Sequence, residues 1–192
     1  MSMRIENNEI IVFNPASLEE VGRVAVTSEE DFNETLNKSI KYKGWSSLSL
    51  QKRCSLINKY RKVIARNGEH IQKVLESETG KKDFDVFIEY FTVLEHLKQI
   101  PKIARKALKK DSRSSGLMKN KKSYVVYEPL GVAGVISPWN YPLATPIISS
   151  IEALISGNNV ILKPSEHTPL TSKIAKDLWD EHIGYEEAFQ LV

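Results

Sequence analysis

The sequence predicts an α/β protein: half of a doubly wound, Rossmann-like parallel sheet in the order β-α-β-α-β, preceded by a helical region that carries its own β segments. Three observations predict it. The runs VAGVI, NVILK and AFQLV are short and apolar, as strands buried on both faces are. Between them, Leu143, Ile147, Ile151, Leu154 and then Leu170, Ile174, Leu178 recur at helical spacing. Upstream, a similar periodicity runs from Lys52 to Leu97 with Lys and Arg on the opposite face.

In chain order, Glu9 to Val26 reads as two β segments around an Asn14-Pro15 turn, because both flanks are rich in β-branched residues and Pro15 presets φ. Thr27 offers an N-cap with Glu30 at capping-box spacing, opening a helix with Phe32, Leu36 and Ile40 on one face and its end near Gly44. The long helix from Lys52 is expected to break at Asn67-Gly68 and to stop at Gly80. A second helix carries Val86, Phe87, Tyr90, Phe91, Leu94 and Leu97, with Pro101 marking a kink or break. DSRSSGLMKNKK reads as a loop and SYVVYE as a strand. VAGVI then begins the parallel sheet, Gly157 ends its first helix, Pro164 closes NVILK, and Thr168-Pro169 caps and opens the second helix. The division expected is residues 1–128 for the N-terminal β and helical region and 129–192 for the dinucleotide-type half-sheet.

The 192 residues, 41% hydrophobic and 27% charged, have the composition of a globular protein rather than a disordered one. No apolar run is long enough to span a bilayer, and MSMRIENNEI has no signal-peptide core, so no membrane partner and a cytoplasmic location are expected. A single cysteine, Cys54, excludes an internal disulfide and a thiolate metal cluster, and the four histidines show no ligand spacing; no metal site is expected. Cys54 itself reads as a small packed residue in the first turn of the long helix. Of the formal net charge of +3, residues 98–122 hold +9, which leaves −6 on the rest. Within that stretch Lys102, Arg105, Lys106, Lys109 and Lys110 alternate with apolar residues, and no aromatic is interleaved. It reads as a solvated helix face followed by a loop, with no nucleic-acid partner.

Doubly wound sheets bind ligands beyond the carboxyl ends of their strands, where Ser137 to Asn140 and Lys163 to Glu166 fall. One reading of these loops is structural: tight connections with helix caps. Three features favour chemistry. No G-x-G-x-x-G follows the first strand, so a pyrophosphate is not expected at that turn in the usual way. Asn140 instead offers a neutral amide donor on a backbone stiffened by Pro138 and Pro142, as a preorganised oxyanion donor requires. Lys163 and Glu166 end the second strand, where an acid holds an adenosine ribose in Rossmann sheets.

At these residues the sequence resembles the NAD(P)-dependent aldehyde dehydrogenase superfamily. EPLGVAGVISPWNYPL and GNNVILKPSEHTPL carry the resemblance, with weaker support from NPASLEEVGRVAV, KGWSSLSLQKR and ESETGKK, in the family's order. The resemblance implies an aldehyde dehydrogenase-like fold of which this is an N-terminal portion. It assigns Asn140 the oxyanion of a tetrahedral thiohemiacetal, Lys163 and Glu166 the adenosine ribose with Ser165 nearby, and Ile136, Ser137 and Trp139 the wall along the cofactor. It also implies NAD as cofactor, with NADP possible, a small aldehyde as substrate, and a homo-oligomer in the complete enzyme, built through the opening hairpin and KSYVVYE. The family's pyrophosphate loop, general-base glutamate and nucleophilic cysteine correspond to positions beyond Val192, so the 192-residue chain alone is expected to be inactive. Ser150, Ile151 and Glu152, and the link GYEEAF, depart from the family pattern. Two alternatives stand beside an aldehyde-oxidising enzyme: a catalytically dead dinucleotide-binding module, and an interaction protein that pairs with a full-length relative.

Overall fold

A computed structural model describes residues 3–192. The chain opens on an antiparallel sheet of β1 (Met3–Glu6), β2 (Glu9–Phe13) and β3 (Glu20–Ala25). The β segments expected from Glu9 to Val26 are the last two of these strands, and β1 adds a third. β1 is joined to β2 through Asn7 and Asn8, both at positive φ (51° and 61°), the conformation that a two-residue hairpin demands and asparagine tolerates. The β2–β3 turn forms as expected, with the Asn14 side-chain oxygen accepting from the Ala16 amide at 2.8 Å. The cap of α1 (Glu29–Lys41) lies one residue later than expected. Ser28, not Thr27, accepts from the Asp31 amide at 3.0 Å and donates to the Asp31 carboxylate at 2.6 Å, so Asp31 plays the part expected of Glu30.

The helical region follows as α2 (Leu50–Arg66), α3 (Gly68–Thr79) and α4 (Asp83–Ala107). Asn67 separates the first two, and Gly80 ends α3 in the left-handed conformation at φ 71°. Pro101 does not break α4, which continues to Ala107. Its ring is buried against α2, where the Cys54 thiol donates to its carbonyl, so packing holds the helix together through the lost backbone bond. The buried stripe of α4 is Val86, Tyr90, Val93, Leu97 and Ile100, whereas Phe87 and Phe91 stack on each other in solvent. The loop expected from Asp111 begins as a strand: β4 (Asp111–Arg113) pairs with β5 (Ser123–Val125), and the strand expected to continue to Glu128 ends there.

The parallel sheet has the order β6 (Val132–Ile136), β7 (Asn159–Lys163), β8 (Phe189–Leu191), with α5 (Ala144–Ile155) and α6 (Pro169–His182) as its crossovers. Both crossovers advance the strand order in the same direction, so right-handed connection sends both helices to one face. That face carries Ala133, Val135, Val160, Leu162 and Phe189 into the core. The other face, with Val132, Gly134 and Ile136, stays open, and Ile136 is 82% exposed. β6 is therefore not buried on both faces as its apolar run predicted. An aromatic cluster locks the helical region to the half-sheet. Trp179 lies 5.5 Å from Trp45 and 5.2 Å from Tyr60, while the Trp45 indole donates to Leu154 at 2.7 Å. Cys54 is fully buried, as expected of a packed residue.

Candidate functional site

The turn after β6 and the turn after β7 lie side by side because their strands pair in register, Ile136 opposite Lys163, and the Ser137 amide extends the pairing to the Lys163 carbonyl at 3.1 Å. Through the first turn four consecutive carbonyls, Trp139 to Pro142, are held. Trp139 accepts from the Thr168 hydroxyl at 3.3 Å, Asn140 from the Lys81 ammonium, Tyr141 from the Thr145 amide at 3.1 Å, and Pro142 from the Ser172 hydroxyl at 2.9 Å. The side-chain amide of Asn140 is exposed and has no hydrogen-bond partner among the described residues. The turn thus fixes its main chain and leaves one amide donor outward, an arrangement suited to stabilising developing negative charge.

The helices that follow both turns are capped by glutamates from the helical region. Leu143, the residue before α5, has no capping side chain; instead Glu89 accepts from the Leu143 amide at 2.9 Å and the Ala144 amide at 3.2 Å. Thr168, expected to cap α6, directs its hydroxyl to Trp139, and Glu78 accepts from the Leu170 and Thr171 amides at 2.8 and 2.9 Å. Pro169 has no amide to offer. Because internal carboxylates already occupy these donors, neither helix N-terminus presents the free amides that hold a pyrophosphate in the usual Rossmann arrangement. Glu78 is 1% exposed, and burial pushes its carboxyl up to about 7, opposed by the two backbone amides it accepts from. Glu89 gives its second oxygen to Lys81 at 2.8 Å, and the same ammonium lies 4.1 Å from the centre of the Tyr141 ring.

The open face of the sheet floors a cleft of about 1200 Å³, walled by α1 and β3 on one side and by α6, from Pro169 to Asp180, on the other. Ile136, Lys163, Ser165 and Glu166 line it together. Gly134 has empty space where a Cβ would project. Lys163 and Glu166 form an ion pair at 3.0 Å on its rim; the Glu166 backbone amide, then Lys163, hold its carboxyl below the usual carboxylate range. The rim of the cleft therefore carries two charged groups of opposite sign at the end of a strand. Ser137 is buried, and its hydroxyl has no partner in the protein among the described residues. Trp139 and Asn140 do not line this cleft. They border a smaller cavity of about 290 Å³ with Glu78, Lys81 and Thr168.

Sequence reasoning missed Glu78, Lys81 and Glu89. Each left a trace: Glu78 and Glu89 fall three residues after the core residues Leu75 and Val86, so a carboxylate stands on an otherwise apolar face, and Lys81 belongs to the segment ESETGKK.

A family model described as the aldehyde dehydrogenase family matches residues 3–192. A protein of Mycolicibacterium smegmatis that carries the provisional name succinate-semialdehyde dehydrogenase, NADP(+), is 33% identical over 78% of this chain and 29% of its own. The crystal structure of an aldehyde dehydrogenase from Brucella melitensis biovar abortus superimposes with a TM-score of 0.90 at 26% identity, over 96% of this chain and 38% of that one. A Mycobacterium tuberculosis aldehyde dehydrogenase complexed with NAD+ gives a TM-score of 0.90 at 26% identity, over 97% and 39%. The chain therefore spans 29% to 39% of the length of these relatives.

Proposed function

Because the chain belongs to the aldehyde dehydrogenase family, we propose that it supplies the oxyanion donor and the ribose contacts for an NAD(P)-dependent oxidation of an aldehyde to a carboxylic acid. The Asn140 amide donates to the aldehyde oxygen as that oxygen gains charge on nucleophilic attack. Lys163 and Glu166 hold the adenosine ribose, with Ser165 beside them; the wall along the cofactor starts at Ile136 in the same cleft and continues past the buried Ser137 to Trp139 at the neighbouring cavity. When bound, the nicotinamide cofactor accepts the hydride. Glu166, ionised by its partners, favours NAD, since a 2′-phosphate would meet a like charge.

The nucleophile lies outside residues 1–192 on this reading. The chain has one thiol, Cys54, and it is buried with its ionisation pushed up by desolvation, which supports the part of the proposal in which Cys54 is not the nucleophile and the 192 residues alone are inactive. The division into residues 1–128 and 129–192 is part of the proposal, as are a cytoplasmic location and a homo-oligomer. β1–β3 and β4–β5 leave Ile5 and Tyr124 exposed, which supports their use in subunit contacts.

The observation that carries the reading is the free side-chain amide of Asn140 on a turn whose carbonyls from Trp139 to Pro142 are held. In an active enzyme containing this segment, Asn140→Ala should lower kcat by about 10² to 10³ with KM for the cofactor little changed. An unchanged kcat at saturating aldehyde would return the turn to a structural role.

A further inference from the structure

Resting on the assignment of Asn140 as the oxyanion donor, we propose that Lys81 is the positioning residue for that amide and that Glu89 sets Lys81 in place. The ammonium has three protons to direct. One goes to the Glu89 carboxylate at 2.8 Å, one to the Asn140 carbonyl, and the third side of the group lies against the Tyr141 ring at 4.1 Å. The group thus spans three partners and has little room to reorient.

Glu89 makes this grip directional. Its side chain is fully buried on α4, and its two oxygens divide the work: one caps α5 through the Leu143 and Ala144 amides, the other holds Lys81. Lys81 is the cation that the second oxygen of this buried side chain contacts. The result is a rigid path from the core of α4 to the peptide plane that follows Asn140. Pro142 restricts Tyr141 from the other side, so the amide is left with its own side-chain torsions. Lys81 reaches this turn from 59 residues upstream, out of the helical region and across to the half-sheet.

The test uses the full 192-residue chain and needs no turnover. Lys81→Met alone would strand a buried charge, so the pair is removed together. In Lys81→Met/Glu89→Gln the glutamine oxygen still accepts from Leu143 and Ala144 and no charge is left unpaired, while the hold on Asn140 and the contact with the Tyr141 ring are lost and the glutamine NH2 takes the place of the oxygen that met Lys81. Trp139, the neighbour of Asn140, is 61% exposed while Trp45 and Trp179 are fully buried, so red-edge excitation selects it. The fast component of its anisotropy decay reports local wobble whatever the size of the particle. The expected result is a larger fast component in the double variant with helix content retained. A decay identical to the parent overturns the proposal. If the double variant unfolds, Glu89→Gln alone decides in the same way, because Lys81 then lacks its anchoring charge. The outcome is separate from the fate of the oxyanion reading: Asn140→Ala tests whether the amide acts, and this decay tests what holds it.

Discussion

Glu78 shows how one side chain can tie stability to pH. Burial raises its carboxyl to about 7 from an ordinary 4.5, with the nearby Glu89 adding to the rise. Between those values the folded protein keeps a proton that the unfolded chain has released, so the protonated form stabilises the fold. The contribution is complete below pH 4.5, declines as pH rises, and is lost as pH passes through 7. Its size is at most about 3 kcal/mol by the linkage of pKa to stability. Denaturant melts of the parent and of Glu78→Gln across this range should give a stability difference that shifts against the parent as pH rises; a constant difference would show that Glu78 titrates normally.

At the scale of the element, side chains from distant segments finish helices that their own sequences leave open. Asn159, the first residue of β7, donates to the Ser39 carbonyl at 2.7 Å and the Tyr42 carbonyl at 2.9 Å, closing the C-terminal end of α1. This bond sets where α1 stands against the sheet, and hence the wall of the cleft. Asn159→Ala should cost about 2 to 3 kcal/mol, because two carbonyls in a largely buried place lose their donor. Guanidinium melts check the figure, and a loss below about 0.5 kcal/mol would mean that water replaces the amide. The same logic explains α5 and α6, whose caps come from α4 and α3. No local motif encodes them.

The whole molecule is one core with one open face. The aromatic cluster and the helices α2, α4, α5 and α6 share a single apolar interior, while the far side of the sheet and the inner face of α1 leave Ile136, Phe32 and Ile40 in solvent. Leu130 is 99% exposed beside them. Among the described residues β8 pairs only with β7, so its other edge is unpaired. An apolar cleft with an unpaired strand edge favours association. The purified 192-residue chain should bind a hydrophobic dye and sediment as a mixture larger than a monomer at micromolar concentration. A single monomeric boundary without dye binding would mean that the open face is tolerated in water.

The sequence by itself determined the order of elements in the half-sheet, the breaks at Asn67 and Gly80, the packed state of Cys54 and the candidate residues Asn140, Lys163 and Glu166, because spacing, glycine and proline act within a few residues of themselves. It also carried the family. Other features were decided only when the chain closed. The apolar run VAGVI could not reveal that right-handed crossovers would leave one of its faces bare, since handedness acts on pairs of strands rather than on composition. Pro101 signalled a break that burial against α2 prevented. Thr168 carried the mark of a cap, and the tertiary structure gave its hydroxyl to Trp139 and the cap to Glu78. Lys81 and Asn140 meet across 59 residues, and a contact between such distant positions exists only where α3, α4 and the sheet pack together.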